Sequence, residues 1–398
     1  MPRYHGAMRT LLLFVALCFA QAAHSEVPAS VAVTFDRHSI RPVLAEGLAD
    51  RVTARKVTAD DPVRIASISK LVTALGVMKL VEAGKLNLDR DVSDYLGWKL
   101  RNPAFPDKVI TLRLLLSHRS SLLDGPDLYI IPLGETLQGR LADLRVWDSA
   151  HAPGSDWFHY TNLNFPVIAS VMERATGERF DRLMQRLVLT PLKLDACFNW
   201  SGCSPAAKQR AVILYRASGA LAKDDPAGVQ GCPVTITQGA ACDLSSYVPG
   251  SNGALFSPQG GLRISMRDLA KIGQVMTRRG GGLLKPSSYA ALTKPEWRFT
   301  GRNGLDENGT PGGFFCSYGL AVHRIGASQQ ACRDGLFGDG IVRLGHAGDA
   351  YGLKSGLWWD PASGKGLAFF TTAVADSETG QRSAFTAREE AVVDRVRR

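Results

Sequence analysis

The chain has 398 residues, of which 45% are hydrophobic and 21% charged. That balance suits one or two globular domains and excludes disorder, collagen and coiled coil. The formal charge of +10 comes from scattered basic residues, which argues for a soluble basic surface and against a nucleic-acid partner.

Residues 1–25 read as an export signal. Arg3 and Arg9 form a positive start, 11–20 an apolar core, and Ala23-His24-Ser25 a small-x-small cleavage site, with Ala20-Gln21-Ala22 as an alternative. The apolar core is too short for a comfortable transmembrane helix, so no stable membrane insertion is expected after cleavage. Cleavage leaves one mature domain, 26–398, with a charge of about +8 and a periplasmic or secreted location. It also removes Cys18 and leaves Cys197, Cys203, Cys232, Cys242, Cys316 and Cys332. An even count in an exported chain points to disulfides, and pairing sequence neighbours (197–203, 232–242, 316–332) closes the shortest loops. With no C-x-x-C and no H-E-x-x-H, neither a metal nor another cofactor is expected.

Residues 30–35 read as a strand, and 43–48 suggest a second. Ile68, Leu71, Val72, Leu75, Met78 and Val81 then recur at steps of three and four, which predicts a helix with one buried face. Ser67 and Lys70, three apart, share one side of its first turn. A short helical turn follows at 91–96, and Thr111 is placed to cap another at 111–116. His118 comes next, between serines; without a G-x-S-x-G elbow in the chain it reads as structural. Beyond the Pro153-Gly154 turn, Thr161 or Asn162 can cap a helix running to Gly177, and a further helix covers 180–189. Residues 195–250 hold four of the six cysteines and no sustained period, as expected of a disulfide-pinned surface insertion. Ser265 opens a helix reaching Thr277. Loop-rich sequence at 295–315 gives way to strands at 318–325, 341–348, 354–359 and 366–374, and a helix at 387–396. Strands thus lie at both ends of the chain. One sheet built from both ends, with a largely helical subdomain inserted at roughly 90–255, would leave a cleft at their junction.

A serine hydroxyl beside a lysine amine, at the positive end of a helix dipole, suits an activated nucleophile. S-x-x-K occurs once, at Ser67 to Lys70; Y-x-N once, at Tyr160 to Asn162; H-x-G once, at His346 to Gly348. Three motifs in that order resemble the serine β-lactamase and penicillin-binding superfamily, in its class C β-lactamase-like branch. That branch also holds D-alanyl-D-alanine carboxypeptidases, D-aminopeptidases and carboxylesterases. The resemblance runs from about Val31 to the C-terminus, apart from the 195–250 insertion. It implies an α+β, β-lactamase/transpeptidase-like fold with an antiparallel sheet flanked by helices. It also implies Ser67 as nucleophile, Lys70 as the charge beside it and Tyr160 as general base. Asn162 would hydrogen-bond the substrate amide. His346, Ala347 and Gly348 would form the strand edge facing Ser67, and the N–H groups of Ser67 and Asp349 would form the oxyanion hole. A free tyrosine titrates near 10, so as a base it needs the nearby ammonium, and whether lysine or tyrosine holds the proton is a coupled question.

Two positions depart from the family pattern. His346 stands where class C β-lactamases carry lysine, and Ala347 where many relatives carry threonine. An imidazole with an ordinary pKa of about 6.5 is mostly neutral at pH 7, and Ala347 has no hydroxyl. Asp349 adds a negative charge that would repel a ligand carboxylate or pair a free amine. The expectation is therefore an exported serine peptidase or amidase for short peptides, including D- or unusual residues such as linearised cyclic peptides. β-Lactamase activity should be weak. A carboxylesterase on the same machinery is the enzymatic alternative, and a penicillin-binding receptor or scaffold the non-enzymatic one. The expected partner is a small peptide, amide or ester; no oligomeric state follows from the residues.

Overall fold

The computed structural model describes residues 28–125, 128–305, 313–326 and 332–397. The expected export signal at 1–25 lies outside the described residues. Eight strands form the main antiparallel sheet: β1 (Ser30–Phe35), β2 (Ile40–Glu46), β3 (Trp297–Arg298), β4 (Ser317–Tyr318), β5 (His323–Ile325), β6 (Arg343–Ala350), β7 (Leu353–Trp359) and β8 (Gly366–Thr371). Their order is β3-β4-β5-β6-β7-β8-β1-β2. The chain ends meet where β1 pairs with β8, from Ser30 opposite Thr371 to Phe35 opposite Gly366.

Strand periodicity divides the core. Val31, Val33 and Phe35 of β1 point to one face, where they join the large cluster around three helices: α1 (Ile68–Glu82), α2 (Asn164–Thr176) and α3 (Met266–Thr277). Ala32 points to the other face, against Trp358, Phe369 and Val393 of the C-terminal helix. Two shorter tracts complete the named elements: α4 (Pro286–Thr293) and that C-terminal helix, α5 (Ala387–Arg397). Ser265 caps α3 as expected, its Oγ accepting the Asp268 N–H at 3.1 Å.

Several expectations need correction. α1 is not a one-faced helix: Ile68 through Met78 are all buried. Its polar side is covered because each polar group finds a partner. Ser69 Oγ accepts the Leu262 N–H at 3.0 Å, and Thr73 Oγ1 donates to the Pro258 carbonyl at 2.9 Å. The second strand lies at Ile40–Glu46 rather than 43–48; β2 is the edge strand, where Pro42 costs the sheet no essential hydrogen bond. Residues 318–325 form two strands, not one. Tyr318 pairs with His323 around a tight turn in which Ala321 is left-handed (φ 53°) and gives its N–H to the Leu116 carbonyl. α4 has no counterpart in the expected elements, although Pro286 at its first turn is a recognisable start signal.

The cysteines pair as 197–203, 232–242 and 316–332. The first two bonds lie within 195–250, which holds short helices and one hairpin, Leu214–Tyr215 with Leu221–Lys223. Glu173 of α2 ties this region down. Its buried carboxylate accepts the Tyr247 hydroxyl at 2.5 Å and the Gly250 N–H at 2.6 Å. No described helix is long and apolar enough to cross a membrane.

Candidate active site

Ser67 sits at the N-terminus of α1, directly after a strained residue: Ala66 is buried and left-handed, φ 49°. β6 runs against this corner with no room to spare. A Cβ on Gly348 would lie 2.3 Å from the Ile65 carbonyl oxygen and 2.3 Å from Ser355 Oγ, which itself donates to that carbonyl at 3.0 Å. Only glycine lets the strand approach so closely. Of the two serines in the first turn, Ser67 is half-buried and Ser69 fully buried.

Lys70 has no exposed surface. Its Nζ donates to Ser67 Oγ at 2.9 Å, Asn162 Oδ1 at 2.7 Å and the Gln259 carbonyl at 3.1 Å. It also lies over the Tyr160 ring, 4.8 Å from the centroid. A buried ammonium requires such a shell of acceptors to remain charged. Tyr160 is 2% exposed and clamped between two rings: His118 at 4.4 Å and Phe315 at 4.6 Å, both stacked. The structure thus brings Ser67, Lys70, Tyr160 and Asn162 together.

Neither Thr161 nor Asn162 caps α2. Instead, Asp124 anchors the turn leading into it from a separate loop: Oδ2 accepts the Asn162 N–H at 2.6 Å and Oδ1 the Leu163 N–H at 2.9 Å. Oδ2 also takes the Asn162 side-chain amide at 2.8 Å, which turns Asn162 Oδ1 toward Lys70. Burial raises the Asp124 pKa, opposed by those same N–H groups. No local signal in the sequence marked this residue. His118 has the structural role expected of it, its Nδ1 accepting the Thr161 N–H at 2.9 Å.

The H-x-G residues divide. His346 is 1% exposed, so its ring is not a group on the cleft surface. Nδ1 lies 2.6 Å from the Ala347 carbonyl oxygen, which can only accept, so Nδ1 carries the hydrogen. Nε2 then accepts from the Tyr318 hydroxyl at 2.7 Å. Burial, aided by Lys70, holds the His346 pKa well below the ordinary imidazole range. The side chain of Ala347 packs into the second core with Trp358 and Phe369, which corrects its expected place facing Ser67. Asp349 stands beside the cleft, but its carboxylate pairs with Lys354, its cross-strand neighbour on β7. Its charge is therefore not available to repel a ligand carboxylate or pair a ligand amine as expected.

The same burial sets a pH dependence of stability. His118 and His346 lie well below their ordinary pKa and His323 falls to about 3, burial being the first cause in each. Their stabilisation is present above about pH 6.5, the unfolded value, and is lost as pH falls. Buried Glu173 and Glu389, both raised to about 7, act oppositely: their contribution is full below about pH 4.3 and lost as pH rises through 7. Asp124, also raised by burial, acts with the two glutamates. The carboxyl contribution is complete once pH falls to about 4, whereas that of the imidazoles goes on being lost toward their depressed values. Urea unfolding should show lower stability at about pH 4 than at about pH 6.5; equal or greater stability at pH 4 would contradict this.

An antiparallel sheet with a Ser–Lys helix packed on it, and a Tyr–Asn loop beside it, defines an α+β protein of the β-lactamase/transpeptidase-like fold. The chain belongs to the Beta-lactamase family, whose model matches residues 20–391. It is 34% identical over 189 residues to esterase EstB of Burkholderia gladioli, covering 43% of this chain and 46% of that protein. It is 31% identical over 137 residues to the D-alanyl-D-alanine-carboxypeptidase/endopeptidase AmpH of Escherichia coli, covering 33% and 35%. The matched stretches span less than half of either relative. Among solved structures, the D-amino acid amidase of Ochrobactrum anthropi superposes with a TM-score of 0.62 at 19% identity, covering 93% of this chain and 95% of that one.

Proposed function

We propose that this protein is an exported serine hydrolase that works through an acyl-enzyme on Ser67. The observation that carries the reading is the 2.9 Å hydrogen bond from fully buried Lys70 to half-buried Ser67 Oγ, with the Tyr160 ring beside the same ammonium. In the forward step Ser67 Oγ bonds to the substrate carbonyl carbon while its proton passes to the Tyr160–Lys70 pair. The developing oxyanion is held by the N–H groups of Ser67 and Asp349. The carbonyl re-forms, the leaving group departs with the proton, and water repeats the sequence on the acyl-serine. Asn162, fixed by Asp124 and Lys70, orients the substrate amide. Export is supported by the three disulfides.

Within that class, the finer reading is a peptidase or amidase for short peptides, including those with D- or unusual residues such as linearised cyclic peptides. A neutral, buried His346 offers no cation on the strand for a carboxylate next to the scissile bond, so nitrocefin and D-alanyl-D-alanine peptides should be poor substrates. The second reading is a carboxylesterase, favoured by the likeness to EstB. Matched p-nitroanilide and p-nitrophenyl ester pairs with one acyl group separate the two. Deacylation is common to both members of a pair. An amidase turns the anilide over measurably, even where slower acylation keeps it below the ester, whereas an esterase leaves the anilide essentially untouched. A kcat/KM for nitrocefin above that for every peptide tested would overturn the finer reading.

A further inference from the structure

The space around Ser67 extends well past the reacting groups. A cleft of about 370 Å³ is lined by Ser67, Asn162, Arg64, Arg216 and Tyr351 among others. A second cavity of about 340 Å³, under the 195–250 insertion, shares Arg64, Tyr129 and Tyr351 with it and adds Lys223. The two adjoin at those shared residues and together make a trough between the nucleophile and the insertion.

The charge along that trough is one-sided. Its two anionic side chains among the described residues are both engaged. Asp349 pairs with Lys354. Asp224, 3% exposed, accepts from Arg263 at 3.0 Å and Trp200 Nε1 at 2.9 Å, and lies 3.8 Å from Arg64. Arg216 and Lys223, by contrast, are exposed and make no ion pair among the described residues. Both belong to the insertion hairpin and its turn. Together with Arg64 they stand around one ring: Tyr351 has the Arg64 guanidinium at 5.5 Å, and the Arg216 guanidinium and Lys223 ammonium each at 5.9 Å. Tyr351 is itself held left-handed, φ 58°, in the β6–β7 turn. The hairpin is pressed against that turn, since a Cβ on Gly352 would lie 2.9 Å from the Tyr215 carbonyl oxygen. Two exposed cations thus stand beside the space around Ser67, Arg216 lining the cleft of the nucleophile and Lys223 the neighbouring cavity.

We propose that Arg216 and Lys223 form an anion subsite, so that this protein favours substrates carrying a carboxylate several bonds from the scissile carbonyl, such as acidic short peptides or half-esters of dicarboxylic acids. The inference rests on reading Ser67 as the nucleophile of the cleft. The guanidinium fork matches a carboxylate, and an ammonium beside it adds a second, less directional charge. Because both are exposed, the effect is modest and screened by salt.

The test compares the p-nitrophenyl half-ester of glutaric acid with the neutral p-nitrophenyl valerate, on the wild type and on the double variant Arg216→Glu/Lys223→Glu. The wild type should favour the half-ester by about tenfold in kcat/KM, with the ratio shrinking as sodium chloride is added. In the double variant the ratio should fall to one or below. A second arm measures glutarate binding by calorimetry to the Ser67→Ala protein with and without the two charge reversals; binding is expected only without them. Glutarate binding that the reversals abolish, with neither ester hydrolysed by the wild type, would uphold the subsite and instead overturn the acyl-enzyme reading. An ester ratio unaffected by the reversals, or no glutarate binding to Ser67→Ala, would overturn the subsite.

Discussion

Ser67→Ala should lower turnover of every ester and amide substrate by about 10⁴-fold or more, to the level of the buffer reaction. The substitution removes only the hydroxyl that Lys70 contacts at 2.9 Å, and the Asn162 and Gln259 acceptors of Lys70 remain in place. The fold should therefore stand, and its urea midpoint should change little. Ser69→Ala is the matched control two residues along. Ser69 Oγ is the acceptor for the buried Leu262 N–H. Its loss leaves that donor unpaired and should cost about 1–3 kcal/mol of stability, with turnover largely retained. The two variants thus trade places: one keeps stability and loses activity, the other the reverse. Retained turnover in purified Ser67→Ala would remove the nucleophile from the account.

Tyr160→Phe should reduce kcat/KM by about a hundredfold or more, with stability close to wild type. Phenylalanine preserves the ring held between His118 and Phe315 and the ring face below Lys70. What it deletes is the proton-transfer group. His118 and His346 cannot replace it, since burial keeps both well below their ordinary pKa and neither lies free in the cleft. The pH–rate profile of the variant should therefore lose the limb that the Tyr160–Lys70 pair contributes, and wild-type kinetics in this variant would place the base elsewhere.

Which parts of this were legible in the residues follows from how local each feature is. Ser67 and Lys70 meet because three residues in a helix bring them to one side, and that is readable from spacing alone. The sheet's division between the two chain ends was readable too, since β1, β6, β7 and β8 each carry clear strand patterns. Asp124 was not, because it reaches the turn before α2 from a loop some forty residues upstream and binds it through space. The pairing of Asp349 with Lys354 depends on the β6–β7 register, which places those two residues opposite one another. A strand period puts His346 and Gly348 on one face and Ala347 on the other, which the expected edge of all three facing Ser67 overlooked, and it does not show how deep each lies. Gly348 touches the Ile65–Ala66 backbone, while His346 is sealed under Tyr318. α1 misled for a similar reason: its polar residues resemble a solvent face until the loops at 258–262 cover them.

The acyl-enzyme itself offers the most direct test. The protein is mixed with a fluorophosphonate or a p-nitrophenyl ester, quenched in acid and digested with trypsin. Cleavage after Arg64 and Lys70 releases the peptide Ile-Ala-Ser-Ile-Ser-Lys, whose fragment ions distinguish Ser67 from Ser69. The account predicts one adduct per chain, on Ser67, absent from Ser67→Ala. An adduct on Ser69 or on any other residue, from a protein that turns over substrate, would contradict it.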